Sequence, residues 1–331
     1  MVDIALTETL AASSSNRTSA ILKGGRRDTR FRILTQAAAI LVVLIFGGIL
    51  IALISGAMPS IKAFGFSFLT TEKWNPVTEK FGALASIYGT LITSFIAMLV
   101  AVPIGIGIAI FLTELCPRPL RRPVGIAIEL LAGIPSIIYG IWGLFVLAPW
   151  LQAHAQPWLI EAFADVPYLS GLFAGPPYGI GILTAGLILS IMVLPFISSV
   201  TRDVFETVPA MQKEAAYGLG CTTWEVMWRV VLPFSRTGVV GGAMLALGRA
   251  LGETMAVTFV IGNAHRIKES LLAPGTTISA TIANEFTEAV GDLYLSSLIE
   301  MGLILFFITF VVLASAQLML RALERRAGGA S

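Results

Sequence analysis

Residues 214–233 read EAAYGLGCTTWEVMWRVVLP and lie between two long apolar runs. The residues leading in, PAMQKEAA, favour a helix, with Pro209 suited to its first turn. Gly218 and Gly220 end that helix, and Thr222 or Thr223 can cap a second one. The second helix is expected to stop at Pro233, just before the next apolar run. The product is a short helix, a sharp turn and another helix. Such an elbow can press into a groove on a partner, and its turn needs residues without bulk.

The surroundings set where this elbow sits. Of 331 residues, 56% are hydrophobic and 13% charged, with a mean hydropathy of +0.85. Soluble domains carry roughly 25% charged residues. The surplus apolar surface has to face something other than water, so the chain is an all-α polytopic membrane protein. A bilayer core needs about 20 apolar residues per helix. Six runs qualify, at about 33–55, 84–113, 124–149, 179–201, 237–262 and 293–321. Pro103 is expected to kink the second. Gly238, Gly242, Gly248 and Gly252 give the fifth two pairs of small residues spaced for close helix contact. The first run follows KGGRRDTRFR and is too long for a cleaved signal. Residues 1–22, rich in Ala, Ser and Thr, are expected to be disordered.

Metal and disulfide chemistry are excluded by counting. Only Cys116, Cys221, His154 and His265 are present, without ligand spacing. The charge distribution says more. Lysines and arginines number six in residues 1–32, three in CPRPLRRP, four in 202–236 and three from Arg321 onward. The opposite connections hold Lys62, Lys73, Lys80, Arg266 and Lys268. The bias predicts cytoplasmic termini and a cytoplasmic elbow. It divides the chain into a tail (1–32), a membrane helix (33–55), a transmembrane domain (84–321) containing the 202–236 segment, and a second tail (322–331). The outer connections are rich in aromatics, Gly and Pro. PWLIEAF and ISATIANEFTEA read as short interfacial helices there. These loops either cap the rim or form a docking surface.

The elbow resembles the coupling loop of bacterial ABC-importer permeases. The matching residues are Glu214, Ala215, Ala216, Gly220, Leu232 and Pro233, with Val230 where isoleucine is usual. A finer resemblance, to the PstC type of phosphate ABC transporter permease, rests on FGFSFLTTEKWNPVTEKFGAL (64–84), YGTLITSFIAMLVAVPIGIGIAIFL (88–112), LLAGIPSIIYG (130–140) and GRALGETMAV (248–257). It covers about residues 33–320. The resemblance implies a type I ABC importer permease fold with one extra N-terminal helix. It also implies a second permease of the PstA type, an ATPase dimer of the PstB type and a periplasmic phosphate-binding protein of the PstS type. The sequence contains no G-x-x-x-x-G-K-[ST] loop to cradle nucleotide phosphates. No cofactor is therefore expected on this chain, and ATP would be bound by the partner subunit.

GRALGETMAV places Arg249 and Glu253 four residues apart inside the fifth run. On one helix they would stack on one face. An arginine near the bilayer centre costs at least roughly 2.5–3.5 kcal/mol, so it is expected to face the interior with a partner. The pair either neutralises itself as scaffolding or presents a guanidinium to a passing oxyanion. Thr254, Ser136, Tyr139 and Thr93 are further pathway candidates, with Thr90, Ser94 and Thr258 beside them. Glu129 and Glu300 read as packing or interface acids. A secondary anion carrier coupled to ions, or an importer of another oxyanion, stays open at this level; the first lacks a visible internal repeat.

Overall fold

The computed structural model describes residues 31–167 and 169–321 with their side chains. The expectations for residues 1–22 and for the tail 322–331 lie outside these described residues. Six helices are long and apolar enough to cross a membrane. Apart from the four-residue helices Ser67–Thr70 and Leu169–Leu172, the helices in chain order are α1 (Phe31–Phe64), α2 (Leu84–Leu115), α3 (Arg118–Ala132), α4 (Ser136–Ala162), α5 (Ile182–Glu206), α6 (Ala210–Gly218), α7 (Thr223–Leu251), α8 (Met255–Thr258), α9 (Ile278–Glu285) and α10 (Asp292–Arg321). All but α3, α6, α8 and α9 are the membrane spans. The chain divides into two compact units, residues 1–55 and 56–331. In the first, residues 31–55 form a single helix with apolar side chains on every face, as hydrocarbon requires.

The second unit is built on small residues. Between membrane helices no hydrophobic driving force operates, so close packing has to hold them. A Cβ at Gly105 would lie 2.7 Å from Ile197, and one at Gly186 would lie 2.7 Å from Ile96, so α2 and α5 touch backbone to side chain. At Gly238 and Gly242 the same test meets Val204 at 2.5 Å and Val200 at 2.7 Å, which seats α7 on α5. Gly248 faces Leu313 of α10. The core so formed joins Ala97 and Ala101 of α2, Ile188, Leu189 and Val193 of α5, and Ala246 and Ala250 of α7.

Three boundaries differ from expectation. The third span is Ser136–Ala162 and not 124–149. Pro135 disfavours helix at Ile134 and offers no N–H, so the chain breaks after Gly133 and α3 becomes a separate helix. The fifth span begins at Thr223 and ends at Leu251, where the expected run extended to 262. Pro233 does not stop a helix. It follows a wide π turn, Met227–Val231, which relieves the ring's clash with the preceding turn, and α7 continues through it.

The connections at the end away from the elbow also differ. PWLIEAF forms the closing turns of α4. ISATIANEFTEA supplies α9, whose Ile278, Ser279, Ala280 and Thr281 are buried, so it belongs to the core and not the interface. Thr277 caps it, accepting from Ala280 N at 3.2 Å, and Thr90 of α2 accepts from Ile278 N at 3.0 Å. At the end of α9, Glu285 accepts from Trp74, from Tyr294 at 2.7 Å and from His265 at 2.9 Å. Burial alone would raise the pKa of Glu285. The three donors outweigh it and hold the carboxyl below its ordinary value.

Candidate functional site

The elbow is the first part of the site. Pro209 stands at the N-cap of α6. The helix then ends in a Schellman motif. Gly220 has φ +85°, its N–H bonds the Tyr217 carbonyl at 2.9 Å, and Cys221 N bonds the Ala216 carbonyl at 3.2 Å. Ala216 and Cys221 pack into one cluster with Phe205, Val226, Met227 and Val231, completing the motif's apolar contact. Thr222 and Glu225 form a capping box that starts α7: Thr222 N donates to Glu225 Oε2 at 2.9 Å and Glu225 N to Thr222 Oγ1 at 3.3 Å. The spacing from Ala216 to Gly220 thus has a local cause: one residue packs inward four places before the left-handed glycine.

Two faces result. Inward, Lys213 Nζ lies 2.6 Å from Glu114 Oε1 of α2, both side chains largely buried. Leu232 is half-buried against the same cluster, while Pro233 is exposed. Outward, Glu214 and Ala215 are exposed beside Met211 (77% exposed), Leu219 (87%) and Trp224 (65%). A rigid turn carrying bare apolar side chains marks an interaction surface.

The second part is a junction of broken helices. α7 ends at Gly252, and α8 starts after Thr254. Arg249 and Glu253 therefore do not share a helix face, and among the described residues Arg249 has no carboxylate in ion-pairing range. The glycine breaks the i,i+4 geometry on which the expected pair depended. Arg249 is exposed on the last turn of α7, where a cation suits the helix's negative end. Glu253 is half-buried; its carboxylate reaches Ala256 N at 3.5 Å, and Ser279 Oγ donates to its carbonyl at 2.6 Å. Thr254 Oγ1 donates to the Gly252 carbonyl at 3.4 Å.

The other break adjoins this one. A Cβ at Gly140 would lie 2.9 Å from Phe259 and 3.0 Å from the Met255 carbonyl, so the start of α4 lies directly on α8. Tyr139 is buried, and its hydroxyl donates to the Leu131 carbonyl at 2.8 Å, bridging the break at Pro135. Ser136 is half-exposed at the first turn of α4. Thr93 is elsewhere in role: buried in α2, with its hydroxyl donating to the Gly89 carbonyl at 2.7 Å. The Thr90 and Thr258 hydroxyls likewise donate within their own segments, and Thr90 also accepts from Ile278 N. Both breaks escaped the span-by-span reading, although Gly133 with Pro135, and Gly252, are the residues that signal helix ends. Glu129 meets Arg202 at 2.7 Å, and Glu300 is buried in α10, hydrogen-bonded to Ser60.

Helices that break beside a bundle of small-residue contacts are a feature of many transport proteins. Residues 101–329 match the binding-protein-dependent transport system inner membrane component family, and the chain belongs to that family. It is 67% identical over 324 residues to the phosphate transport system permease protein PstC of Mesorhizobium japonicum, covering 98% of this chain and 99% of the relative. With the protein of the same name from Pasteurella multocida it shares 60% over 298 residues, covering 90% and 93%. Among solved structures, a bacterial alginate ABC transporter in complex with its periplasmic protein shares the fold at a TM-score of 0.60 and 18% identity, covering 89% of this chain and 96% of that one. The inward-facing MetNI methionine ABC transporter does so at 0.54 and 16%, covering 72% and 94%. The chain is thus a multi-pass membrane permease with the fold of ABC importer subunits.

Proposed function

We propose that the chain is the transmembrane permease of an ATP-driven importer of inorganic phosphate. It pairs with a second permease of the PstA type, with two ATPases of the PstB type and with an external binding protein of the PstS type. The elbow and both termini face the cytoplasm, in keeping with the crowding of basic residues at that end. The observation that carries the reading is the outward face of the elbow, where Met211, Leu219 and Trp224 stand exposed on a doubly capped turn. That face receives the ATPase. Closure of the ATPase pair pushes α6, and the Lys213–Glu114 contact passes the push to the end of α2. α7 runs unbroken from the elbow to Arg249 and acts as a lever.

Arg249 offers its guanidinium fork to phosphate in the pathway. Glu253, Thr254, Ser136 and Tyr139 shape the junction behind it, and the positive start of α4 adds to the attraction for an anion. The chain does no covalent chemistry; it gates. The test is ATP-dependent uptake of radiolabelled phosphate by proteoliposomes holding the purified complex. Arg249→Ala should assemble with its partners and lose uptake. Normal uptake at matched protein levels would reduce Arg249 to scaffolding.

A further inference from the structure

At the elbow end, α3 begins directly after α2 and carries Arg118, Arg121 and Arg122 in its first turns. These line a cleft of about 370 Å³ together with Arg202, Glu129 and Glu206. Four guanidinium groups against two carboxylates leave the cleft with a net charge of +2. The carboxylates are all directed at one of the four. Arg202 lies 2.7 Å from Glu129, 3.1 Å from Asp203 and 4.0 Å from Glu206. Among the described residues, Arg118, Arg121 and Arg122 have no carboxylate in ion-pairing range. Arg121 is anchored by one nitrogen only: Nη2 donates to the Thr113 carbonyl at 2.5 Å, while the buried Nε has no partner.

The surface next to the cleft is aliphatic. Leu120, Ile126 and Leu130 of α3 are 52%, 46% and 69% exposed. Free guanidinium donors at the start of a helix with bare aliphatic side chains along it form an amphipathic element suited to the bilayer interface. Basic pockets on the cytoplasmic side of membrane helices bind lipid phosphate head groups, and the proposed orientation puts the cleft on that side; the arginine fork matches a phosphate bidentately. A Cβ on Gly125 would lie 2.9 Å from Arg202 Nη1, so α3 and α5 meet at the floor of the cleft.

We propose that this cleft holds the phosphate group of an anionic phospholipid through Arg118, Arg121 and Arg122, with the acyl chains along Leu120, Ile126 and Leu130. A lipid bound there braces α3 against α5 beside the segment that moves with the elbow. Free inorganic phosphate has the same head-group chemistry and is the competing source. The site does not depend on what the importer carries.

The test is native mass spectrometry of the intact complex released from nanodiscs of phosphatidylcholine doped with phosphatidylglycerol. The wild type should retain phosphatidylglycerol in preference to phosphatidylcholine. Arg118→Gln with Arg122→Gln should cut that preference about tenfold, and Arg118→Lys with Arg122→Lys should keep most of it. Co-elution of the partner subunits checks that the variants fold. A second arm titrates lipid-depleted complex with inorganic phosphate, followed by 31P NMR. Saturable phosphate binding that the glutamine variant abolishes, without lipid preference in the first arm, would overturn the lipid assignment. Equal lipid retention by wild type and glutamine variant would overturn it as well.

Discussion

Arg249 is an exposed cation at the end of a membrane helix, with no acid within reach among the described residues. On insertion scales an arginine at mid-bilayer costs roughly 2.5–3.5 kcal/mol. On the proposed function, water in a cavity or a bound anion offsets that cost. Arg249→Lys should keep part of the uptake, since the charge remains while the fork is lost. Arg249→Ala should lower it at least tenfold with assembly intact; initial uptake rates at equal complex content decide this. Gly220 is the other residue on which the account leans. Its φ of +85° excludes side chains at little cost to glycine alone. Gly220→Ala should destabilise the turn by about 1–2 kcal/mol, read as weaker co-purification of the ATPase with membrane insertion unchanged.

At the scale of elements, α7 couples two ends of the molecule through its contact with α5. Gly238 and Gly242 face Val204 and Val200 with no room for a methyl group. Gly242→Val should push α7 off α5 and lower thermal stability by about 1–3 kcal/mol, measured as aggregation temperature in detergent. The far-end cluster should respond to pH. Glu285 is held below its ordinary value, so it stabilises the fold above the unfolded value of 4.5, and that contribution is lost as pH falls through the lower folded value. Hydrogen exchange at residues 264–267 should rise in that acid range, and in Glu285→Gln should already be raised at neutral pH.

The elements also show what a sequence displays. An N-cap at Thr222 or Thr223, the glycine turn at Gly220 and six apolar runs are local patterns, and they were legible; that Thr222 closes a capping box with Glu225 came from the structure. The breaks at Pro135 and Gly252 were not, because apolar composition continues across them and hydropathy does not register a missing hydrogen bond. The expected Arg249–Glu253 stack failed for that reason. Lys213 with Glu114, 99 positions apart, and Trp74 with Glu285, 211 apart, are joined by tertiary packing that no spacing reveals.

At the scale of the whole molecule, the permease reads as a lever system. A capped elbow sits at one end, an unbroken helix leads away from it, and a guanidinium beside two helix breaks stands at the other end. Each part has a physical reason to be stiff: the Schellman and capping-box bonds, the glycine seats of α7 on α5, and the packing of α4 on α8 through Gly140. The system works only if a separate motor grips the elbow. The most direct measurement places a photo-crosslinking amino acid at Leu219, 87% exposed at the tip of the turn, in the intact complex in its native membrane. The account predicts a cross-link to the nucleotide-hydrolysing subunit that changes in yield when ATP is added. Cross-links confined to lipid or to another membrane subunit, with and without ATP, would contradict it.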